Sequence, residues 1–251
     1  MKDKNVTEIL PGIELAGLTL YLKKYDALVF GDLHLGFEEE LNKLGFLVPR
    51  FQYREITGHM EKVFSRIRKS GKIGRAVING DLKHEFGRIS GQEWREVLDF
   101  LDFLGENFNE VILIKGNHDT IIGPIAGKKS VTIVDEYFSE DGRICVTHGH
   151  RIPRNRKFRE SKTVIIAHKH PALALRDGIR TEKVKCFLKG RWDGKNLIQI
   201  PSLNFVAEGS DLLQDETLSP FMRENRGNFE VYCVEGMELL YFGRLKNLSG
   251  E

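Results

Sequence analysis

Asp32 and His34 stand two residues apart in Gly31-Asp32-Leu33-His34-Leu35-Gly36, directly after the apolar run Ala27–Phe30. An apolar run bounded by glycine reads as a buried strand ending in a turn. Residues two apart face the same way while the backbone stays extended, so a carboxylate and an imidazole there can grip one divalent cation. Taken alone, the pair fits a helix cap equally well. Four later stretches change that: Gly80-Asp81, Gly116-Asn117-His118-Asp119, Thr147-His148-Gly149-His150 and His168-Lys169-His170. Seven of the eight histidines, all but His59, fall at or just after predicted strand ends. Unrelated polar residues capping turns would fit any one stretch, but not all five together. Asp32 and Asp81 offer hard oxygen, Asn117 a neutral carbonyl and the imidazoles borderline nitrogen, and no thiol belongs to any of these stretches. Such a mixture suits Mn2+, with Fe2+, Zn2+ or Ni2+ as substitutes, and argues against a soft-metal or Mg2+-only site.

The elements that must position these residues follow from the apolar pattern. Glu8 to Leu22 reads as two short strands, a hairpin against the strand Ala27–Asp32. Phe37–Leu44 is a short acidic helix-like segment. Phe51–Ile67 is a stronger helix, with Ile56, Met60, Val63, Phe64 and Ile67 at three- and four-residue spacing. A strand at Arg75–Asn79 runs into Gly80-Asp81. A helix over Gln92–Leu104 follows, with Ser90 as cap and Trp94, Val97, Leu98, Leu101 and Leu104 on one face. The strand Val111–Ile114 then runs into Gly116–Asp119. This alternation implies parallel strands with right-handed crossovers, so the motifs share one carboxyl edge. After Gly127 short strands separated by turns predominate: Val131–Val134, Ile144–Val146, Val164–Ala167, Val184–Leu188, Leu197–Ile200, Phe229–Cys233 and Leu239–Phe242. Only Pro171–Leu175 reads as a helical turn. The fold class is therefore α/β (α+β), with a second, largely antiparallel sheet packed on the first.

At 251 residues, 41% hydrophobic and 29% charged, the chain reads as one soluble domain over 1–251 with a sizeable core. A net charge of +2 gives no global attraction to nucleic acid, so any basic surface is local. Cys145, Cys186 and Cys233 are widely spaced, which suggests neither a disulfide framework nor a zinc knuckle and makes the cytoplasm the simplest compartment. No signal-peptide core follows Met1-Lys2-Asp3-Lys4, and no apolar run approaches membrane-spanning length, so no membrane association is expected.

Between residues 27 and 170 the five motifs, in this order, resemble those of the calcineurin-like metallophosphoesterases. The resemblance implies a four-layer αββα sandwich, two packed mixed sheets flanked by helices. It also implies two divalent metal ions, one held by Asp32, His34 and His170, the other by Asn117, His148 and His168, with Asp81 bridging. Ions sharing a carboxylate lie roughly 3.5–4 Å apart and hold a hydroxide that attacks phosphorus. His118 would then be no ligand but a cleft residue that protonates the leaving oxygen or stabilises its charge. Asp119 and His150 would support the ligands from behind.

His84 follows Asp81 by three residues in Gly80-Asp81-Leu82-Lys83-His84, where related protein phosphatases carry aspartate and arginine. Histidine there resembles the repair-nuclease branch, in which it helps handle the phosphodiester; a turn-bonding role is the plainer alternative. Ala167 stands where the last motif usually has glycine, which leaves that turn's dihedrals open. With Pro201-Ser202-Leu203-Asn204-Phe205, these features look like the archaeal phosphoesterases related to double-strand-break repair nucleases and their bacterial ligase- and helicase-associated relatives. A DNA-processing role and association with a helicase or ligase are what that closer likeness implies. Residues 151–159 hold Arg151, Arg154, Arg156, Lys157 and Arg159, with Phe158 among them. A basic loop beside a phosphoesterase site suits the phosphates flanking a scissile one, with the aromatic as a stacking surface. An ordinary solvated loop is the alternative. A small-substrate phosphodiesterase or phosphomonoesterase, and a non-catalytic scaffold, stand as competing functions. The long polar connection 207–228 reads as a candidate partner contact, and oligomeric state is left open.

Overall fold

The computed structural model describes residues 7–68, 71–87, 89–120, 122–123, 127, 129–215, 219–223 and 226–248. A first, seven-stranded sheet runs in chain order: β1 (Thr7–Leu10), β2 (Ile13–Ala16), β3 (Thr19–Leu22), β4 (Ala27–Phe30), β5 (Ile73–Asn79), β6 (Phe108–Ile114) and β7 (Thr132–Val134). Strands β1 to β4 pair antiparallel and β4 to β7 parallel. The segment expected to form two strands before β4 forms three. Gly12 (φ +77°) and Gly17 (φ +54°) each reverse the chain, and two reversals divide it three ways.

Helices α1 (Phe37–Lys43) and α2 (Gln52–Ile67) connect β4 to β5, and α3 (Gly91–Asn107) connects β5 to β6. Helix α2 buries Ile56, Met60, Val63 and Phe64, the stripe its spacing predicts. Helix α3 starts on a capping box. Ser90 Oγ accepts from Glu93 N at 3.1 Å, and Glu93 Oε2 accepts from Ser90 N at 3.3 Å.

The second sheet is built from β8 (Tyr137–Phe138), β9 (Ile144–Val146), β10 (Thr163–Ile166), β11 (Pro171–Asp177), β12 (Arg180–Trp192), β13 (Lys195–Gln199), β14 (Ser210–Asp211), β15 (Glu230–Glu235) and β16 (Glu238–Arg244). Its order is β14-β11-β12-β13-β10-β9-β8, and β15 pairs both β12 and β16. It is mixed rather than largely antiparallel, because β9, β10 and β13 run parallel at its centre. A short helix, α4 (Arg156–Glu160), lies on the β9–β10 crossover and supplies the parallel return. Residues 171–175, expected as a helical turn, open β11: Ala172 and Leu173 register against Lys185 and Val184 of β12, and that pairing overrides the helix propensity of Ala and Leu. Strand β12 also runs beyond the expected five-residue core, because its charged arm Arg180–Lys183 pairs with β11 without an apolar signature.

Both faces of the second sheet are covered. Along β10, Ile165 joins the core shared with the first sheet, while Val164 and Ile166 join a second cluster on the outer face. That outer cluster contains Phe158 of α4, together with Leu212, Phe221 and Met222 from the polar connection 207–228. The described part of that connection is thus cover for the sheet as well as surface. Cys145, Cys186 and Cys233 are buried free thiols. Among the described residues no helix is long and apolar enough to cross a membrane.

Candidate metal centre

The strands end, and the chain immediately turns against its ordinary hand. Asp32 (φ +53°), His34 (+49°), Asp81 (+49°), His168 (+75°) and His170 (+42°) all occupy the left-handed region. Each such residue costs about 1–3 kcal/mol and persists only where its surroundings over-determine it. Here they do. Beyond the strand ends the first two turns remain zipped: Asp32 N, His34 N and Leu35 N donate to the carbonyls of Gly80, Asp81 and Leu82, each at 3.0 Å. Asp119 ties in the third turn, accepting from Asp81 N at 2.7 Å, Leu82 N at 3.1 Å and Gly116 N at 3.0 Å. Glycine is needed at 116, where a Cβ would overlap the Asp81 carboxylate, and at 80, where it would overlap the His148 ring. Asp32 and His34 do converge, through these left-handed turns rather than through an extended backbone. In the last motif the positive φ values fall on His168 and His170, so position 167 accepts alanine.

The two sheets meet at this edge. His168 N donates to Asp32 Oδ2 at 2.8 Å, and Leu203 N to Gly31 O at 2.9 Å. Two groups of donor atoms result, Asp32/His34/His170 and Asp81/His148/His168, with the atoms of each within 4.8 Å of one another. Asn117 Oδ1 lies 3.1 Å from His148 Nε2 and so belongs with the second group. Asp81 Oδ2 stands between them, 3.2 Å from His148 Nε2 and 3.8 Å from His34 Nε2. A third group, His34/His84/His118, opens outward from the first.

These residues fit a pair of divalent cations. Asp32 Oδ1 is buried without a hydrogen-bond partner, and His34 Nε2 and His170 Nε2 converge at 3.3 Å beside it. Burial and the neighbouring His170 hold His34 down to about 3, and burial and His148 hold His168 down to about 4, so both imidazoles present lone pairs at neutral pH. For Asp32, burial opposes ionisation but His170 and His148 outweigh it, and its pKa falls below the usual carboxylate range. His148 is also disfavoured by burial, yet its hydrogen bond to Asp81 and the Asp81 and Asp32 charges raise it to about 9. His148 Nε2 faces the Asp81 carboxylate, the side on which a cation would be held. Its other nitrogen, Nδ1, meets Asn79 O at 2.9 Å and fixes the ring.

Asp119 is pushed up to about 6 by burial and the Asp81 charge, against the three N–H donors that favour its anion. His150 lies beside the rings of His148 and His168, with centroids at 5.3 and 6.1 Å. His118 N donates to Asp81 Oδ1 at 2.9 Å, and its ring faces Phe86 at a centroid distance of 3.7 Å. His84 reaches His34 Nδ1 at 3.4 Å through Nδ1 and Glu40 Oε2 at 2.5 Å through Nε2. Its peptide N donates to Glu93 Oε1 at 2.7 Å, so the residue that caps α3 also holds the His84 turn.

Sequence reasoning missed the support for Leu33. Its carbonyl, between Asp32 and His34, accepts from Gln52 Nε2 at 2.7 Å and Asn204 Nδ2 at 3.0 Å. Asn204 is held in turn by half-buried Lys185, which donates to Asn204 O and to Ser202 Oγ at 2.6 Å. Residues 201–205 had a signal in their motif; Gln52, one polar residue in a helix, had none.

The basic segment behaves differently from its expectation. Phe158 is buried against Trp192 and Phe221, at 5.9 and 6.3 Å, and is no stacking surface. It is the one buried residue of α4, hidden in the sequence by the cations around it. Arg151 pairs with Asp135 at 2.9 Å and Arg156 with Glu160 at 2.7 Å. Arg151 and Arg154 line an open hollow of about 720 Å3 with Glu136, Ile152, Pro153 and Pro220.

Comparison with known proteins agrees with this geometry. The family model for calcineurin-like phosphoesterases matches residues 26–232. No curated protein matches the sequence. Among solved structures, a nuclease, MPE, from Pseudomonas putida is 17% identical, covering 96% of this chain and 100% of its own, with a TM-score of 0.65. A Vps29 mutant from Entamoeba histolytica is 18% identical, with coverage of 86% and 99% and a TM-score of 0.35.

Proposed function

The chain belongs to the calcineurin-like phosphoesterase family and is a hydrolase of phosphoester bonds; from that premise we propose that its substrate is a phosphodiester in nucleic acid. The observation that carries this reading is the pairing of His84 and His118. Their rings lie 5.5 Å apart on the solvent side of buried Asp32, His34, Asp81 and His148. An alkoxide leaving group is helped by a proton donor, and a second cleft histidine beside that donor suits the larger, two-armed substrate that a diester is.

Asp32, His34 and His170 would hold one ion and Asn117, His148 and His168 the other, with Asp81 shared; Mn2+ is the proposed native metal. When bound, such a pair supplies Lewis-acid polarisation of the phosphate and lowers the pKa of water. His118, fixed by its N–H to Asp81, donates the proton to the leaving oxygen. His84, braced by Glu40 and Glu93, stabilises the charge that develops there. Arg151 and Arg154, in the hollow beyond His150, contact phosphates flanking the scissile one. Arg156 faces solvent on α4 in its pair with Glu160, and we leave it out of the contact set. A nuclease among the solved structures of this fold accords with the reading.

The test is a substrate panel. Metal-loaded protein should hydrolyse bis-p-nitrophenyl phosphate and single- or double-stranded DNA with Mn2+, and neither in excess EDTA. Efficient hydrolysis of p-nitrophenyl phosphate or cyclic nucleotides with intact DNA left uncut would replace this reading with the small-substrate one.

A further inference from the structure

Phe86 is a large apolar side chain in ring contact with the proposed proton donor, and it is 55% exposed. One face of its ring is against His118, at a centroid distance of 3.7 Å and an interplanar angle of 32°. The segment that carries it is pinned. Glu93 Oε1 accepts from both His84 N and Glu85 N, at 2.7 and 2.9 Å, Lys83 Nζ donates to Glu85 O, and Thr120 Oγ1 donates to Phe86 O. A ring held this firmly loses little freedom when something flat settles on it.

The surroundings state what that is. Among the described residues near Phe86, Glu40 is engaged by His84, Lys83 by Glu85 O, and Lys43 by the Glu85 carboxylate at 2.8 Å. The charged groups on this side, among the described residues, are carboxylates and cations already engaged, a lining that favours a neutral aromatic face over a phosphate. The cations proposed for flanking phosphates, Arg151 and Arg154, line a separate hollow that follows His150 in the chain. Because His118 marks the leaving-group side, the group brought to Phe86 is the one attached to the leaving oxygen. We propose that Phe86 is a stacking platform for the nucleobase of the leaving nucleotide. The proposal rests on the nucleic-acid reading above and assigns it a polarity: base stacking on the leaving side, phosphate contacts on the other.

The experiment uses metal-loaded wild type, Phe86→Ala and Phe86→Trp on single-stranded tetradeoxynucleotides, either intact or with one base deleted at each position in turn. Phe86→Ala should lower kcat/KM on intact substrate roughly ten- to hundred-fold, mostly through KM, and Phe86→Trp should recover most of it. Deleting the base on the leaving side should cost wild type a similar factor and cost Phe86→Ala almost nothing more, because both changes remove one contact. Affinity for the same oligonucleotides in EDTA, where no cleavage occurs, should follow the same pattern. Independent, multiplying losses would mean that Phe86 acts only by supporting His118 and would overturn the proposal. Failure of wild type to cut or bind any DNA would overturn the nucleic-acid reading itself, and Phe86 with it.

Discussion

His118 shows what a single residue contributes beyond the ligand set. It reaches Asp81 through its backbone N–H and sets its ring with Nδ1 at His84 O and one face on Phe86, so its removal takes away a transition-state contact and no donor atom of the two ligand groups. His118→Ala should therefore keep both metals while turnover falls roughly 10²–10⁴-fold on DNA. The loss should shrink for bis-p-nitrophenyl phosphate, whose leaving group scarcely needs a proton; equal losses on both would remove His118 from the acid role. The candidate ligands were legible because each follows an apolar run that ends in glycine or a tight turn. Phe158 misled for the opposite reason: five cations around it suggested an exposed stacking surface, while its burial depends on Trp192 and Phe221, far off in sequence.

Elements set these residues by contacts that no local pattern announces. The Leu33 carbonyl is gripped by a helix residue, Gln52, and by Asn204 from the segment after β13. Asn204→Leu should loosen the Asp32–His34 turn and weaken metal binding about 10–100-fold, read by metal titration, with helix content unchanged. Unaltered metal affinity would make Asn204 merely structural. Helix α2 carries a second long-range anchor: His59 Nε2 accepts from Leu18 N at 3.0 Å. Burial, then Lys62, pull its pKa to about 4 from 6.5, so its folded form binds protons less readily than the unfolded chain. Its contribution is complete above about pH 6.5 and is lost as pH falls towards 4. The urea midpoint of wild type should drop across that window, and His59→Gln should show a shallower drop; equal slopes would remove His59 from the acid response. The helices and the parallel half of the first sheet were readable from periodicity. Strand β11 and the parallel centre of the second sheet were not, because pairing partners rather than residue types decide them.

At the scale of the whole molecule, two sheets bring their strand ends to one edge, and each candidate metal group draws on both. Asp32 and His34 come from the first sheet and His170 from the second; Asp81 and Asn117 come from the first, His148 and His168 from the second. The centre therefore depends on sheet packing, and Asp81, between the two groups, is its common member. The most direct measurement is elemental analysis of wild type and Asp81→Ala after reconstitution with Mn2+, alongside hydrolysis of bis-p-nitrophenyl phosphate. We expect two equivalents and activity in wild type, with loss of metal from both positions and of hydrolysis in the variant. Two equivalents retained by Asp81→Ala, or full wild-type activity in excess EDTA, would contradict the shared-ligand centre.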